Sequence, residues 1–268
     1  MRVTFDSNAW QQVVLPSRAR KTGLHNAFTT VHEALRTKQI RGFICETVGT
    51  LEAITRARRK DYFTSINPIV EVKADSQGSQ LLATISISAS HDQHPGLPRV
   101  LRERLELAFA LGMRLMRAPR IAMPIPVPFL DLSVFADEFD VPTSAARDNR
   151  WGDVVESIEQ RGVGSAVIRS LEAGKRRRPN TLGEKQYARA VAEWADGDSV
   201  AAHVAYSNDV FCTQDQGKSA KGRSILDADN RAWLTQAYDL RFATISELAG
   251  LAASFTTQIS PEPTRHGS

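Results

Sequence analysis

Met1-Arg-Val-Thr-Phe-Asp-Ser-Asn8 is a short apolar run that stops at an acid. Val3 and Phe5 suit a buried strand, because β-branched and aromatic side chains pack well on a pleated surface. Asp6 falls where that strand ends, and Asn8 follows two places later. In an open parallel sheet, ligands bind outside the carboxyl ends of the strands. The chain thus begins by carrying a carboxylate to a sheet edge suited to chemistry, and the question is whether later segments bring more acids to it.

From that strand outward the chain reads as strand–helix–helix–strand–helix. A helix over 7–14 has Ser7 or Asn8 near its cap. Residues 16–23 form a basic loop with Arg18, Arg20 and Lys21, and Ala27, Phe28, Val31, Ala34 and Leu35 recur at helical spacing over 25–38. Residues 40–45 read as a second buried strand. A third helix is expected over 46–60, with Val48, Leu51 and Ile54 inward and Arg56, Arg58, Arg59 and Lys60 at its far end, where they complement the helix dipole. This order predicts a parallel sheet with crossover helices.

After residue 63 the pattern changes. Alternation over 68–73 and 81–89, around Asp75-Ser-Gln-Gly-Ser79, predicts a β-hairpin. Residues 97–116 read as one long helix through Val100, Leu101, Leu105, Ala108, Leu111 and Leu115. A piece broken by Pro124, Pro126 and Pro128 follows, and then 135–165 are polar and acidic with turn-like Pro142 and Gly152. Lys175-Arg-Arg-Arg-Pro179 is a basic run that ends in a helix breaker, a solvated linker or an RNA contact. Residues 64–178 are therefore expected to be an α+β insertion, a hairpin and a long helix, in a domain whose core is 1–63 and 179–258, with 259–268 a flexible tail. Crossover grammar returns with a helix through Tyr187, Ala188, Val191 and Ala195, a tight turn at Asp196-Gly-Asp198, and a short helix through Val200, Ala201, Val204 and Ala205. A strand over 209–213, a helix over 225–239, a strand over 242–245 and a last helix to 255 complete the chain.

Composition narrows the classes. With 268 residues, 42% of them hydrophobic and 24% charged, the chain can bury a full globular core. A net charge of +4 permits a nucleic-acid or phosphate partner. Cys45 and Cys212 stand alone, which argues against a disulfide framework or zinc pairing and suits a reducing cytoplasm. No leader and no membrane span is expected, since the start lacks a charged region before an apolar stretch and no apolar run reaches about 18 residues. His91 and His94 straddle a loop with no third ligand, so a metal role does not recommend itself there.

The acids recur where this topology puts strand ends and helix starts. Asp6 ends strand one, Glu46 and Glu52 follow strand two, Asp198 begins a helix with Asp196 as its rival for that slot, and Asp215 stands just past the next strand. Carboxylates gathered at one end of a sheet cannot all stay ionised without a counter-charge. Mg²⁺ or Mn²⁺ supplies one through hard oxygen ligands, and such ions can activate a water and clamp a phosphodiester for in-line attack.

Four pieces, Phe5-Asp6-Ser7-Asn8, Ile44-Cys45-Glu46-Thr47-Val48-Gly49-Thr50-Leu51-Glu52, Asp198-Ser-Val-Ala-Ala-His-Val-Ala205 and Val210-Phe-Cys-Thr-Gln-Asp215, together resemble the PIN-domain family of metal-dependent ribonucleases. The resemblance covers 1–60 and 180–255. It implies a three-layer α/β/α PIN-like fold around a mainly parallel sheet, and a cytoplasmic Mg²⁺- or Mn²⁺-dependent endoribonuclease. It further implies that Asp6, Asp198 and Asp215 hold metal, together with Glu52 or Glu46 from the third helix, while Asn8 and Thr213 orient the ligands. Family habit adds RNA as partner, a toxin or RNA-processing role, an antitoxin or other inhibitor protein, and a homo-oligomer. Lys218, Lys221 and Arg223, just past Asp215, are candidates for phosphate contact.

Each of these residues also has a plainer reading. Asp198 makes an ordinary helix cap, Glu46 a favourable charge at a helix start, and Asp215 a turn residue. Two other classes stay open: a catalytically inactive PIN-like module that binds RNA or a protein, and a phosphatase of the haloacid-dehalogenase type. The latter requires a second Asp two residues after the first, where this chain has Asn8.

Overall fold

The structure is a computed structural model that describes residues 1–65, 67–77, 80–90, 96–119, 134–136, 144–177, 183–217 and 224–259. Arg2–Phe5 forms β1, and it becomes the middle strand of a five-stranded sheet. Arg41–Cys45 (β2) lies parallel on one side of it, with Val3 opposite Gly42. Val210–Cys212 (β6) lies parallel on the other, with Val3 opposite Val210. Arg114–Met116 (β5) extends the sheet beyond β2, and Phe242–Ala243 (β7) extends it beyond β6, both parallel. The order β5-β2-β1-β6-β7 means that the chain builds outward from β1 in one direction and then returns to build in the other. The seam between β1 and β6 is therefore the topological switch point, where a parallel sheet leaves a crevice at its carboxyl edge.

Alternation along the strands sends side chains to two separate cores. On one face Val3, Phe5, Ile44, Val210 and Cys212 pack with residues of Ser7–Val14 (α1), His25–Arg36 (α2), Arg99–Ala110 (α5) and Ile245–Ile259 (α10). On the other Phe43, Cys45 and Phe211 pack with residues of Ser144–Gln160 (α6), Glu184–Ala205 (α8) and Ala228–Tyr238 (α9). The architecture is thus mixed α/β with helices on both faces of an all-parallel sheet, as a three-layer α/β/α fold requires. A third cluster, Leu51, Ile54, Tyr62, Ile168, Tyr187 and Val191, joins Arg56–Ser65 (α4) and Ser165–Arg177 (α7) to the first half of α8. No described helix is long and apolar enough to cross a membrane.

Several elements differ from their sequence expectation, each for a local reason. The helix expected over 46–60 is split into Thr47–Thr50 (α3) and α4. Gly49 and the β-branched Thr47, Val48 and Thr50 are weak helix formers, and Arg59 fixes the break by donating to the carbonyls of Glu52 (3.2 Å) and Ile54 (2.9 Å). The long helix expected over 97–116 stops at Ala110, because Gly112 takes φ 90° and Met113 N closes back on Ala108 O at 3.0 Å. The residues beyond it become β5, so the segment drawn as an insertion contributes a strand to the central sheet. The hairpin is present as Asn67–Gln77 (β3) and Gln80–Ser90 (β4), antiparallel and in a sheet of their own. The polar and acidic stretch with turn-like Gly152 holds α6, which runs through Gly152 and buries Trp151, Val154, Val155 and Ile158 at helical spacing.

The most consequential correction concerns Asp196-Gly-Asp198. It is no turn, and Asp198 begins no helix: α8 runs unbroken through both from Glu184 to Ala205. Gly197 is there for close approach instead. A Cβ on it would stand 3.0 Å from the Cα of Gly164, in the turn between α6 and α7. The basic residues Lys218, Lys221 and Arg223, His91 and His94, the proline-rich piece at 120–133 and the tail from 260 lie outside the described residues.

Candidate active site

At the carboxyl end of β1, Asp6 leaves the sheet and caps α1. Asp6 as a whole residue is 4% exposed. Oδ1 accepts from Ser7 N at 2.6 Å, and Oδ2 accepts from Asn8 Nδ2 at 2.7 Å and Thr213 Oγ1 at 2.5 Å. The same Thr213 hydroxyl accepts from Asp215 N (3.0 Å) and Asn8 Nδ2 (3.3 Å), and Asn8 Oδ1 accepts from Gln214 N at 2.9 Å. Asn8 and Thr213 therefore stitch the end of β1 to the loop after β6 across the switch point. That loop is held in turn by Gly217 N, which donates to Asp215 Oδ1 at 2.8 Å, and by Arg231 of α9, which donates to Asp215 O.

Three further acids act on this point. Burial raises Asp6 above the usual carboxylate range, and the charge of the exposed Asp215 raises it further. Glu52, in the turn between α3 and α4, is pushed up to about 7 by burial and by Asp6, while a Ser7 hydrogen bond and Arg59 oppose the rise. Asp196, half-buried in the middle of α8, is raised well above its ordinary value by burial and then by Asp6, Glu193, Glu52 and Asp215. One set of like charges thus spans four separate chain segments at one sheet edge. Positive charge near it comes from Arg59 beside Glu52, and from Arg231, on which Asp215 and Asp6 act.

The structure places Glu52 and Asp215 within range of the Asp6 charge and adds Asp196, where Asp198 was expected. Two residues along a helix is roughly 200° around its axis, so the pair cannot serve one face. Asp198 is 1% exposed and its charge acts on the Cys45 thiol at the end of β2, as does that of Glu46. Glu46 accepts from Ala118 N at 2.6 Å and stands at the start of α3, beside the loop after β5. Of the two acids left open after β2, Glu52 is raised by the charge of Asp6, and Glu46 acts on the Cys45 thiol. Sequence reasoning also missed Ser7, Arg59 and Arg231. Arg231 acts across 16 residues on the Asp215 carbonyl, while Ser7 and Arg59 act on near neighbours through contacts that no residue-type pattern marks.

Two other buried polar groups support the frame. Glu193, one turn before Asp196, accepts from Gly164 N (3.1 Å) and Ile225 N (2.7 Å), and burial pushes it up to about 7. Beneath β1, Thr4 Oγ1 meets His203 Nδ1 at 2.8 Å and accepts from Asn208 Nδ2 at 2.9 Å. Burial holds His203 down at about 3, hence neutral. Cys45 and Cys212 are buried, and burial raises both thiols, which leaves them poor nucleophiles.

Among the described residues no three His, Cys, Asp or Glu side chains already stand close enough to enclose an ion. The donor set still fits a hard divalent cation: it is all oxygen, Asp6, Glu52 and Asp196 are raised first by burial and then by neighbouring acids, and the set is open to solvent at Asp215. Comparison with protein-family models, with curated proteins and with solved structures gives no match for this chain.

Proposed function

We propose that this protein is a divalent-cation-dependent phosphodiesterase acting on RNA, an endoribonuclease with a PIN-like arrangement. The observation that carries the proposal is that Asp6, at the switch point of a parallel sheet, lies within range of the charges of Glu52, Asp196 and Asp215, with Asp6, Glu52 and Asp196 raised first by burial and then by neighbouring acids. The motif pieces around Asp6 and Asp215 support it. Asp196 takes the place that the resemblance gives to Asp198.

Mg²⁺ or Mn²⁺ bound there would neutralise the acids, polarise a phosphoryl oxygen and lower the pKa of an attacking water. The rest is work for the chain's own residues. Asp6, Glu52, Asp196 and Asp215 would hold the ion. Thr213, Asn8 and Ser7 fix Asp6 through its two oxygens, so that it meets a ligand in one orientation. Arg231 ties the Asp215 loop to α9 and keeps a positive group beside the acids, where a phosphate would enter.

The test is cleavage of mixed RNA substrates with Mn²⁺, with and without chelator, by the native chain and by Asp6→Asn. Chelator-sensitive cutting by the native chain and loss of at least about a hundredfold in Asp6→Asn are expected, the scale for removing an electrostatic anchor. Equal activity in both proteins removes the hydrolase assignment. A toxin or RNA-processing role, with an inhibitory protein partner, belongs to the same proposal and follows from the resemblance alone.

A further inference from the structure

Next to the loop that carries Asp215, α9 and β7 flank an open groove of about 490 Å³, lined by Arg231, Thr235, Asp239, Leu240, Arg241 and Phe242. It begins where the active-site loop ends, since Arg231 donates to Asp215 O from one wall. The guanidinium of Arg231 lies 4.7 Å over the Phe242 ring, and that ring stands edge-on against the buried Phe211 with centroids 5.7 Å apart. Nε of Arg231 donates to Leu226 O at 2.8 Å. Two main-chain carbonyls and a ring therefore hold one flat cation in a fixed orientation. Arg241, just before β7, is exposed at the opposite lip, where its charge also acts on the exposed Glu247.

Resting on the ribonuclease reading, we propose that this groove holds one nucleotide of single-stranded RNA next to the bond that is cut, its base stacked on the Arg231–Phe242 pair and its phosphate on Arg241. A stacked guanidinium and aromatic ring form the kind of platform on which unpaired bases rest, whatever their sequence. A cation at the lip engages the phosphate that the base brings with it. A duplex cannot use such a site, because its bases are already stacked and paired. The groove therefore selects unpaired RNA and sets the strand leading to Asp215.

Fluorescence anisotropy with a 5′-labelled, 12-nucleotide single-stranded RNA, in chelator so that nothing is cut, tests this on the full chain. The native chain is compared with Arg241→Glu, Arg241→Lys and Arg18→Glu. Arg18 is exposed on the opposite layer, between α1 and α2, and its reversal changes net charge equally. Arg241→Glu is expected to weaken binding at least tenfold, with Arg241→Lys and Arg18→Glu within about threefold of native. In Arg241→Glu the slope of log affinity against log salt becomes shallower by about 0.7, one single-strand phosphate contact. Equal weakening by Arg18→Glu, undiminished binding by Arg241→Glu, no binding by the native chain, or equal native affinity for a blunt duplex of the same sequence overturns the groove. If the native chain cuts RNA and Arg241→Glu binds as tightly, the groove falls and the nuclease stands. If the native chain binds RNA through Arg241 yet cuts none with Mn²⁺, the groove stands and the nuclease falls.

Discussion

Replacing Glu52 with Gln should stabilise this protein at alkaline pH, and only when divalent cations are absent. Glu52 is pushed from 4.5 to about 7 in the folded chain, first by burial and then by Asp6. Its folded pKa is raised, so the folded state keeps a proton that the unfolded state has released. Stability therefore falls as pH rises from 4.5 through about 7, and the loss is complete above that. The full shift corresponds to about 3 kcal/mol, and partial access of water to the side chain brings this nearer about 2. The amide introduced by Glu52→Gln has nothing to ionise and can keep the Ser7 hydrogen bond. For a chain this long, about 2 kcal/mol corresponds to roughly 4 °C in Tm.

The assay is thermal denaturation followed by circular dichroism, from pH 5 to pH 8, first in chelator. At pH 5 the two proteins should melt within about 1 °C of each other; at pH 8 Glu52→Gln should melt about 4 °C higher. Adding Mn²⁺ to about a hundred times its Kd then raises the native chain by about 2.7 kcal/mol, and less in the variant, which has lost a ligand oxygen charge. The ranking should invert. A variant that gains nothing at pH 8 in chelator would show that Glu52 is raised neither by burial nor by Asp6. A gain that Mn²⁺ leaves intact would remove Glu52 from the cation set.

Three further outcomes test the frame around the acids. Asp196→Asn should lower Mn²⁺-dependent cleavage about a hundredfold or more, while Asp198→Asn retains cleavage within about tenfold, both measured after a melting curve has shown the variant folded. Gly197→Ala should cost about 1–3 kcal/mol in urea unfolding, because the new methyl lands 3.0 Å from Gly164 Cα. Thr4→Val should cost about 2–3 kcal/mol by the same measure, since it strips His203 and Asn208 of their shared partner.

The parts of this fold that could be read from the sequence are those whose signal is local. Val3 and Phe5, Ile40 to Cys45, and Val210 to Cys212 are apolar runs too short for helices and bounded by polar punctuation, which is how buried parallel strands look. Asp6, Asn8, Thr213 and Asp215 lie within three residues of those strand ends, so the topology alone brings them to one edge. β5 was hidden because Leu111 and Leu115 continue the helical spacing of α5, although Gly112 marked the stop. α6 was hidden because Trp151, Val154, Val155 and Ile158 sit among charges dense enough to suggest a loop. Choosing Asp196 over Asp198 needs the phase of a helix that Gly197 made look interrupted. A glycine in a helix reads as a break until the element packed against it is known, and here that is the turn at Gly164.

Once α8 is seen as one helix, the placing of Asp196 has a physical explanation. Twenty-two helical residues span about 33 Å, longer than one hydrophobic cluster. The first half of α8 is buried against α4 and α7 through Tyr187 and Val191, and the second half against the sheet through Val200, Ala201 and Val204. Asp196 falls where the two clusters meet. One turn earlier, Glu193 ties the α6–α7 turn and the segment before α9 to the same helix. The carboxylate that fits least well electrostatically is thus fixed by two cores and a buried hydrogen-bonded acid, not by a loop. Repulsion from Asp6, Glu52 and Asp215 cannot be relieved by letting α8 slide, because sliding would break both cores at once. The relief left is to take up protons or a cation, and an acid set that rigid is already shaped for whichever arrives.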